Sequence, residues 1–533
     1  MARIGLSTAA CRLVLRMPGI DSVGTRLCAI GTFDLKAGGR RGAAPRLHRW
    51  RAFPVRTDRL HPHHLLAFDK DIVMHIAFFC LPEHGGFVPT FILTRHLLSL
   101  GHRVTYFGPL DYEERVRAQG FDYVTLFADE LRKGTIDQDA VNDGEDGSLK
   151  MVRRHLRHIA GLGRWETLEA LANNTFPDLL RRHEVDLVLV DALFSFMVPL
   201  IAVSGIPYQV YLTELSGARG DGLPPSYSGE FPAGGTLVGA WRVRLAWARS
   251  IPRTWLRRSM IAIMYQVMFF GIPRPPRRLI RGIARSVRES AQRAGLRRSR
   301  WEYGWRWADA DTVLCPAAFD FAEARAERTY LGPCIDHTRT DWDFPWAEME
   351  QRRDGRRLVL VSLGTHAAQY AGVTPRFLRK VFEVASDSPD LFFVVVLGKG
   401  RSVDSIAHPP QNVMTFQFVP QLALLERTDA MITNGGLGTV KECIWFGVPM
   451  VVAPCRFDQP GNAARVLRHG IGRHVDVARV KPAQLRQALL DCLDDPGIAA
   501  AMAGMRAAFH ASRELESWLD KVGAASAPEP ATG

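Results

Sequence analysis

From Met74 onward the chain alternates short apolar runs of strand length with longer segments of helical period. Residues 74–80 (Met-His-Ile-Ala-Phe-Phe-Cys) predict a buried strand. A helix is expected near 89–100, where Phe91, Ile92, Leu93, Leu97, Leu98 and Leu100 keep one apolar stripe. Gly101 and His102 stop it, and residues 103–107 predict the next strand. Residues 185–191 predict another buried strand, followed by an apolar helix over 193–203, a turn at Gly205-Ile206-Pro207 and a strand at 208–212. Strands that are almost continuously apolar need cover on both faces. With helices between them they imply a parallel sheet.

A second series follows a linker at about 335–356, with strands expected at 358–362, 391–396, 413–416, 430–433 and 450–452. The chain therefore divides into an α/β domain over 74–334, a second over 357–510 and a cleft between them. In such sheets ligands sit beyond the carboxyl ends of the strands. Residues 215–305 break the alternation. Gly and Pro crowd 217–234, and 240–300 reads as helices carrying Trp241, Trp247, Trp255, Arg257 and Arg258. Two readings stand for this insertion: an amphipathic cover for the first domain, or an apolar acceptor pocket whose basic rim rests on an anionic membrane surface. Residues 511–533 are expected to form a helix crossing back to the first domain, then a frayed tail.

Charge matters through its distribution. The net charge is +13, and residues 1–73 hold 13 Lys and Arg against 5 Asp and Glu, a net +8. This Arg-, Gly- and Pro-rich stretch lacks periodicity and reads as a disordered extension or a misassigned start. Residues 74–533 hold only +5, much of it in the arginine-rich run Arg274–Arg300, which has few aromatics facing a common groove, and this argues against nucleic acid as a partner. No apolar run is long enough to cross a bilayer; residues 260–270 are too short and include Gln266. Cys11, Cys28, Cys80, Cys315, Cys334, Cys443, Cys455 and Cys492 are scattered without metal-ligand or paired spacing, as in a reducing cytoplasm.

The chemistry concentrates late in the chain. Asn434-Gly435-Gly436-Leu437-Gly438-Thr439 lies between the strand at 430–433 and a helix through Val440-Lys441-Glu442. A glycine-rich turn there lets backbone N–H groups close around an anion, and the helix dipole adds favourable potential. Phe418-Val419-Pro420-Gln421 precedes this turn, while Gly447-Val448-Pro449 and Asp458-Gln459-Pro460-Gly461-Asn462-Ala463 follow it. Together these elements resemble the donor signature of UDP-glycosyltransferases, glycosyltransferase family 1 with a GT-B fold. Within that family they are most similar to the bacterial branch acting on macrolides, carotenoids and other lipophilic aglycones. The resemblance runs from Met74 to about residue 522 and is thin in 215–305.

The resemblance implies a GT-B architecture: two Rossmann-like α/β domains facing across a cleft, the first binding an acceptor and the second a nucleotide sugar. It places Phe418 against the uracil, with Val419 and Gln421 at the base, and Glu442 on the ribose hydroxyls. Asn434, Gly435, Gly436, Gly438 and Thr439 fall at the diphosphate, joined by Gly364 and Thr365 after the first strand of the second domain. Asp458 and Gln459 fall on the sugar hydroxyls, which favours glucose and leaves other hexoses and TDP donors open.

Two positions depart from the family. Asn434 stands where the family has a histidine that donates to the diphosphate; its amide still donates but cannot become a cation. In Glu83-His84-Gly85-Gly86-Phe87-Val88-Pro89, Gly86 occupies the place of the family's basic histidine, and His84 lies two residues earlier. His84 is the candidate base, with Asp191 at the end of its strand matching the aspartate that orients such a base. Asp309-Ala310-Asp311 mimics a metal-binding motif of another glycosyltransferase class and reads as a turn, so neither metal nor cofactor is expected. The expected activity is inverting, metal-independent transfer of a hexose from a nucleoside-diphosphate sugar to a lipophilic hydroxyl acceptor in the cytoplasm. The alternatives are a non-catalytic sugar-nucleotide-binding partner of another glycosyltransferase and a GT-B-fold epimerase.

Overall fold

The computed structural model describes residues 73–81, 84–126, 175–192, 198–215, 222–249, 285, 288–293, 296, 299–301, 304–306, 311–339, 342–364, 373–398, 406 and 408–518. Residues 1–72, Thr365 and the tail after 518 lie outside this set, as does most of 250–298.

The first sheet contains β1 (His75–Phe79), β2 (Arg103–Gly108), β3 (Asp122–Thr125), β4 (Leu187–Asp191), β5 (Tyr208–Leu212), β8 (Asp311–Val313) and β9 (Arg328–Tyr330). Two three-residue strands, β6 (Ser299–Trp301) and β7 (Gly304–Arg306), form a separate hairpin. The first sheet runs β3-β2-β1-β4-β5-β8-β9, with every pair parallel. Among the described residues it is accompanied by α1 (His84–Ser99), α2 (Glu113–Arg117), α3 (Thr175–Arg182) and α4 (Val198–Val203). Residues 237–249 are also helical.

The second sheet contains β10 (Arg357–Ser362), β11 (Leu391–Val396), β12 (Val413–Phe416), β13 (Ala430–Thr433), β14 (Met450–Val452) and β15 (Gly472–His474). Its order is β12-β11-β10-β13-β14-β15, again all parallel. Around it lie α5 (Trp346–Arg353), α6 (Thr374–Ser386), α7 (Gln421–Leu425), α8 (Leu437–Phe446), α9 (Gln459–Arg468), α10 (Pro482–Asp494) and α11 (Pro496–Ala511). Both sheets reverse strand order beside their first strand, as nucleotide-binding doubly wound sheets do. The expected pair of Rossmann-like domains is therefore present. The core strands β1, β4 and β13 are buried at every residue, which is why their sequences carry no polar alternation.

Both sheets belong to one compact unit. The crossing segment behaves as expected: residues 514–518 are helical, and Leu515 and Trp518 pack in a core cluster with Met74, Ile76 and Phe78. Glu514 Oε1 accepts from the Ala317 N–H at 2.9 Å, tying this segment to the first domain. Three expectations are corrected. The segment 335–356 is not wholly a linker, because α5 occupies its second half. Strand β15, with Arg473 and His474 facing outward, is too short and polar to show in an apolar pattern. The third correction concerns α1, which begins at His84 rather than near 89 and so absorbs the glycine pair into its first turn.

The described part of the insertion is not only a cover for the first domain. A Cβ placed on Gly461 of α9 would lie 2.6 Å from the Ser226 carbonyl oxygen. Leu223 packs with Phe321, Ala324 and Ala464, and Trp247 Nε1 donates to the Leu223 carbonyl at 2.8 Å. The insertion thus braces the helix that begins beside Asp458.

Candidate active site

At the carboxyl edge of the second sheet, Ser362 pairs with Thr433, and Thr433 with Val452. The chain leaving β13 must turn sharply to enter α8. Gly435 makes that turn at φ +81, and a Cβ there would lie 2.5 Å from Val452 Cγ1. Both the left-handed backbone and the close approach demand glycine. Gly364, at φ +76, brings the β10 loop against the Asn434 amide, 2.9 Å from Nδ2 to a Cβ placed there. Asn434 is buried, and its Oδ1 accepts from the Gly436 N–H at 3.3 Å, so Nδ2 is the end of the amide left to donate. Gly436 caps α8, while a Cβ on Gly438 would meet nothing within 4 Å. The result is an open helix N-terminus beside an amide donor, suited to an anion.

This corner is tied to the next helix. Asn462 Nδ2 donates to the Gly435 carbonyl at 2.9 Å and to Asp458 Oδ2 at 2.8 Å. Asn462 Oδ1 is buried without a hydrogen-bond partner. Asp458 caps α9, and burial pushes its carboxyl up to about 6 against the hydrogen bond from Asn462. Gln459 Oε1 accepts from the Cys455 and Arg456 N–H groups at 2.8 and 2.9 Å, fixing the loop after β14. Sequence reasoning quoted Asn462 within its motif but gave it no role; here it joins the anion corner to the acid–amide pair.

Glu442 lies on α8, buried and already engaged. Arg339 Nη1 donates to its Oε1 at 2.7 Å, and Gln421 Nε2 donates to Oε2 at 2.5 Å. Gln421 Nε2 also lies 3.4 Å from Thr439 Oγ1. The expected group of Gln421, Thr439 and Glu442 is thus brought together, with an arginine the sequence did not announce. The Val419 side chain is buried in the core cluster that also holds Leu424, Leu437 and Val440. Phe418 sits at the cleft edge, stacked on Trp342.

On the opposite side of the cleft, the expected pair of His84 and Asp191 is not joined. A Cβ at Gly86 would lie 2.4 Å from the Leu81 carbonyl oxygen, so no histidine fits there. That close approach starts α1 two residues before Gly86 and puts His84 at the helix start. His84 Nδ1 is shut off from solvent and has no hydrogen-bond partner. Burial, then the guanidiniums of Arg115 and Arg339, hold the imidazole well below the usual histidine range, so it is neutral at pH 7. Asp191 is fully buried at the end of β4, beside its register partner Tyr211 and near Cys80; its charge bears on both. Tyr211 Oη donates to Cys80 Sγ at 3.1 Å. The charges that bear on His84 are those of Arg115 and Arg339.

The two domains meet through buried polar ties. Lys441 Nζ donates to the carbonyls of Leu314 and Cys334 at 2.6 and 3.4 Å. Arg465 bonds Asp320 Oδ1 through Nε and Nη2 at 2.9 and 2.7 Å. Cys80, Cys315, Cys334, Cys443, Cys455 and Cys492 are free thiols. Among the described residues, no three His, Cys, Asp or Glu side chains converge as a metal-holding group, and no helix is long and apolar enough to cross a membrane.

Two parallel sheets of Rossmann order, with a helix N-terminus suited to an anion on the second, define a two-domain α/β protein of nucleotide-binding type. Comparison with known proteins narrows this. Residues 389–514 match the family described as "Erythromycin biosynthesis protein CIII-like, C-terminal domain". The chain is 25% identical over 465 residues to the NDP-glycosyltransferase YjiC of Bacillus licheniformis, covering 85% of this chain and 98% of that protein. It is 26% identical over 430 residues to the oleandomycin glycosyltransferase of Streptomyces antibioticus, covering 80% and 84%. Among solved structures, the kitacinnamycin glycotransferase matches at TM-score 0.53 and 24% identity, covering 85% of this chain and 97% of that one. VinC, solved with dTDP, matches at TM-score 0.53 and 17% identity, covering 84% and 98%. The chain has the GT-B fold and is similar over most of its length to glycosyltransferases of family 1 type.

Proposed function

We propose that this protein transfers a hexose from a nucleoside-diphosphate sugar to a hydroxyl of a lipophilic small molecule, with inversion and without a metal. The observation that carries this reading is the hydrogen-bonded run from Asn434 and Gly435 through Asn462 to Asp458. In this reading the diphosphate cradle and the sugar-binding carboxylate belong to one hydrogen-bonded piece. Glu442 takes the ribose hydroxyls once its bonds to Arg339 and Gln421 rearrange. The relatives named above support the transfer. UDP-glucose is the first donor to consider, and the dTDP bound by VinC makes TDP-sugars the second.

In the proposed reaction the acceptor hydroxyl lies between His84 and the anomeric carbon. Neutral His84 takes the hydroxyl proton as the oxygen attacks the anomeric carbon. The bond to the diphosphate breaks on the opposite face, and its negative charge is received by the N–H groups of α8 and the Asn434 amide. Closing of the cleft excludes water that would hydrolyse the donor. Asp191 acts on this step only if donor or acceptor binding brings His84 back towards β4.

The reading extends to a cytoplasmic protein whose helix at 237–249 touches the inner face of the membrane. Leu237, Val238 and Trp241 are 91%, 70% and 63% exposed there, beside Arg242, Arg244 and Arg249. The test of function is release of UDP or TDP from a panel of sugar donors, run with pooled lipophilic hydroxyl acceptors. Donor binding without turnover against any acceptor would instead support a non-catalytic sugar-nucleotide-binding partner. That second reading is favoured by the separation of His84 from Asp191 and by Asn434.

A further inference from the structure

The ring expected to carry the nucleobase is already covered. Trp342 lies over Phe418 with ring centroids 5.0 Å apart and planes 9° from parallel. Arg115 Cζ lies 5.3 Å from the centre of the Trp342 ring. Two rings stacked this closely leave no space between them for a guanidinium, so Arg115 takes the other face of the indole. Phe418 stands between β12 and α7 in the second domain, whereas Arg115 stands on α2 of the first. The order Arg115, Trp342, Phe418 therefore runs across the cleft. Trp342 therefore covers one face of Phe418 from the side on which Arg115 of the first domain lies.

We propose that Trp342 is the resident occupant of the nucleobase slot: its indole stacks on Phe418 in the donor-free protein and is displaced when a base binds. This rests on the donor-site reading above. An indole is a planar aromatic of the same kind as a base, and it offers Phe418 the same offset stacking. Arg115 adds a cation over its outer face. Trp342 is 38% exposed, so stacking rather than enclosure keeps it there, and leaving the slot costs no core packing. A base must outcompete this stack, whereas the diphosphate and sugar subsites at Gly436 and Asp458 feel no such competition. The occupant thus lowers affinity for nucleotides without touching the phosphate cradle, and favours ligands that engage base and diphosphate subsites together.

The test is calorimetric titration of the full chain with UDP, with TDP and with inorganic pyrophosphate, which has no base. Trp342→Ala and Trp342→Gln are expected to bind UDP or TDP roughly three- to tenfold more tightly, the range of an aromatic stack. Pyrophosphate affinity is expected to stay unchanged, and melting temperatures taken alongside check that both variants fold. Weaker or unchanged UDP and TDP binding overturns the proposal, as does an equal gain for pyrophosphate. Phe418→Ala separates the two readings. If it weakens nucleotide binding while the Trp342 variants do not strengthen it, only the assignment of Trp342 falls. If Phe418→Ala changes nothing, or no form binds UDP or TDP, the base site itself is wrong and the proposal falls with it.

Discussion

Arg465 on α9 and Asp320 after β8 form a bidentate ion pair between the two domains, at 2.9 and 2.7 Å, with both side chains buried. Arg328 and the Tyr330 hydroxyl bond the other Asp320 oxygen at 2.5 and 2.9 Å. Burial alone would raise this carboxyl, but the guanidiniums of Arg465 and Arg328 outweigh it and hold it at about 2. A depressed carboxylate contributes stability that is present above its unfolded value near pH 4 and is lost as pH falls towards 2. Asp320→Ala leaves two arginines buried without their anion and is expected to cost about 3–5 kcal/mol. Urea unfolding at pH 7 measures this, and a cost below about 1 kcal/mol would show that the pair does not hold the domains.

Gly435→Ala sets a Cβ 2.5 Å from Val452 Cγ1 on a backbone at φ +81. Backbone strain and crowding together are expected to cost on the order of 2 kcal/mol or more and to move the α8 N-terminus. Pyrophosphate titration should show at least a tenfold loss, whereas Gly438→Ala, which meets nothing within 4 Å, should leave folding stability nearly unchanged.

Asp458 titrates near pH 6 because burial disfavours its charge. A raised carboxyl makes the opposite contribution to Asp320: its stabilising part is present below pH 4 and is lost as pH rises through 6. Asp458→Asn should therefore unfold at higher temperature than the parent at pH 7.5, with the gain vanishing near pH 4. The same substitution removes the carboxylate proposed to accept sugar hydroxyls. KM for the donor sugar should rise, and in the parent KM should rise as pH falls below 6. A donor KM independent of pH between 5 and 8 would remove Asp458 from the sugar site.

His84→Ala is expected to lower kcat by about 10²–10⁴, the usual contribution of a general base, with UDP affinity unchanged. Because burial, Arg115 and Arg339 depress its proton affinity, the acid limb of the pH–kcat profile should lie below 6.5. Stability linked to neutral His84 is present above its unfolded value and is lost as pH falls through the depressed one. Unchanged kcat in His84→Ala would assign the base elsewhere.

The donor half of the site was legible because its chemistry is local. Gly435, Gly436, Glu442, Asp458 and Gln459 lie within one run of sequence; the glycines, Asp458 and Gln459 sit where a strand ends or a helix begins, and Glu442 lies within the helix that follows the glycines. Gly364 was legible for the same reason, while Thr365 lies outside the described residues. The donor half's partners from elsewhere in the chain were not. Trp342 and Arg339 come from the joining segment and Arg115 from a five-residue helix, and nothing in their neighbourhoods marks them before the domains dock. His84 was found as a residue but misplaced as a loop group. The close approach of Gly86 to the Leu81 carbonyl, which starts the helix early, is a three-dimensional fact with no sequence period.

The Ser226 carbonyl pressed against Gly461 has a consequence for how such enzymes are recombined. Exchange of halves between relatives treats each domain as a cassette with a clean seam. Here the seam passes through a segment that belongs to the first half in sequence and to the second by contact. A chimaera that takes its second half from this protein must carry residues 222–231 as well. Otherwise the helix starting beside Asp458 arrives without the surface it was shaped against.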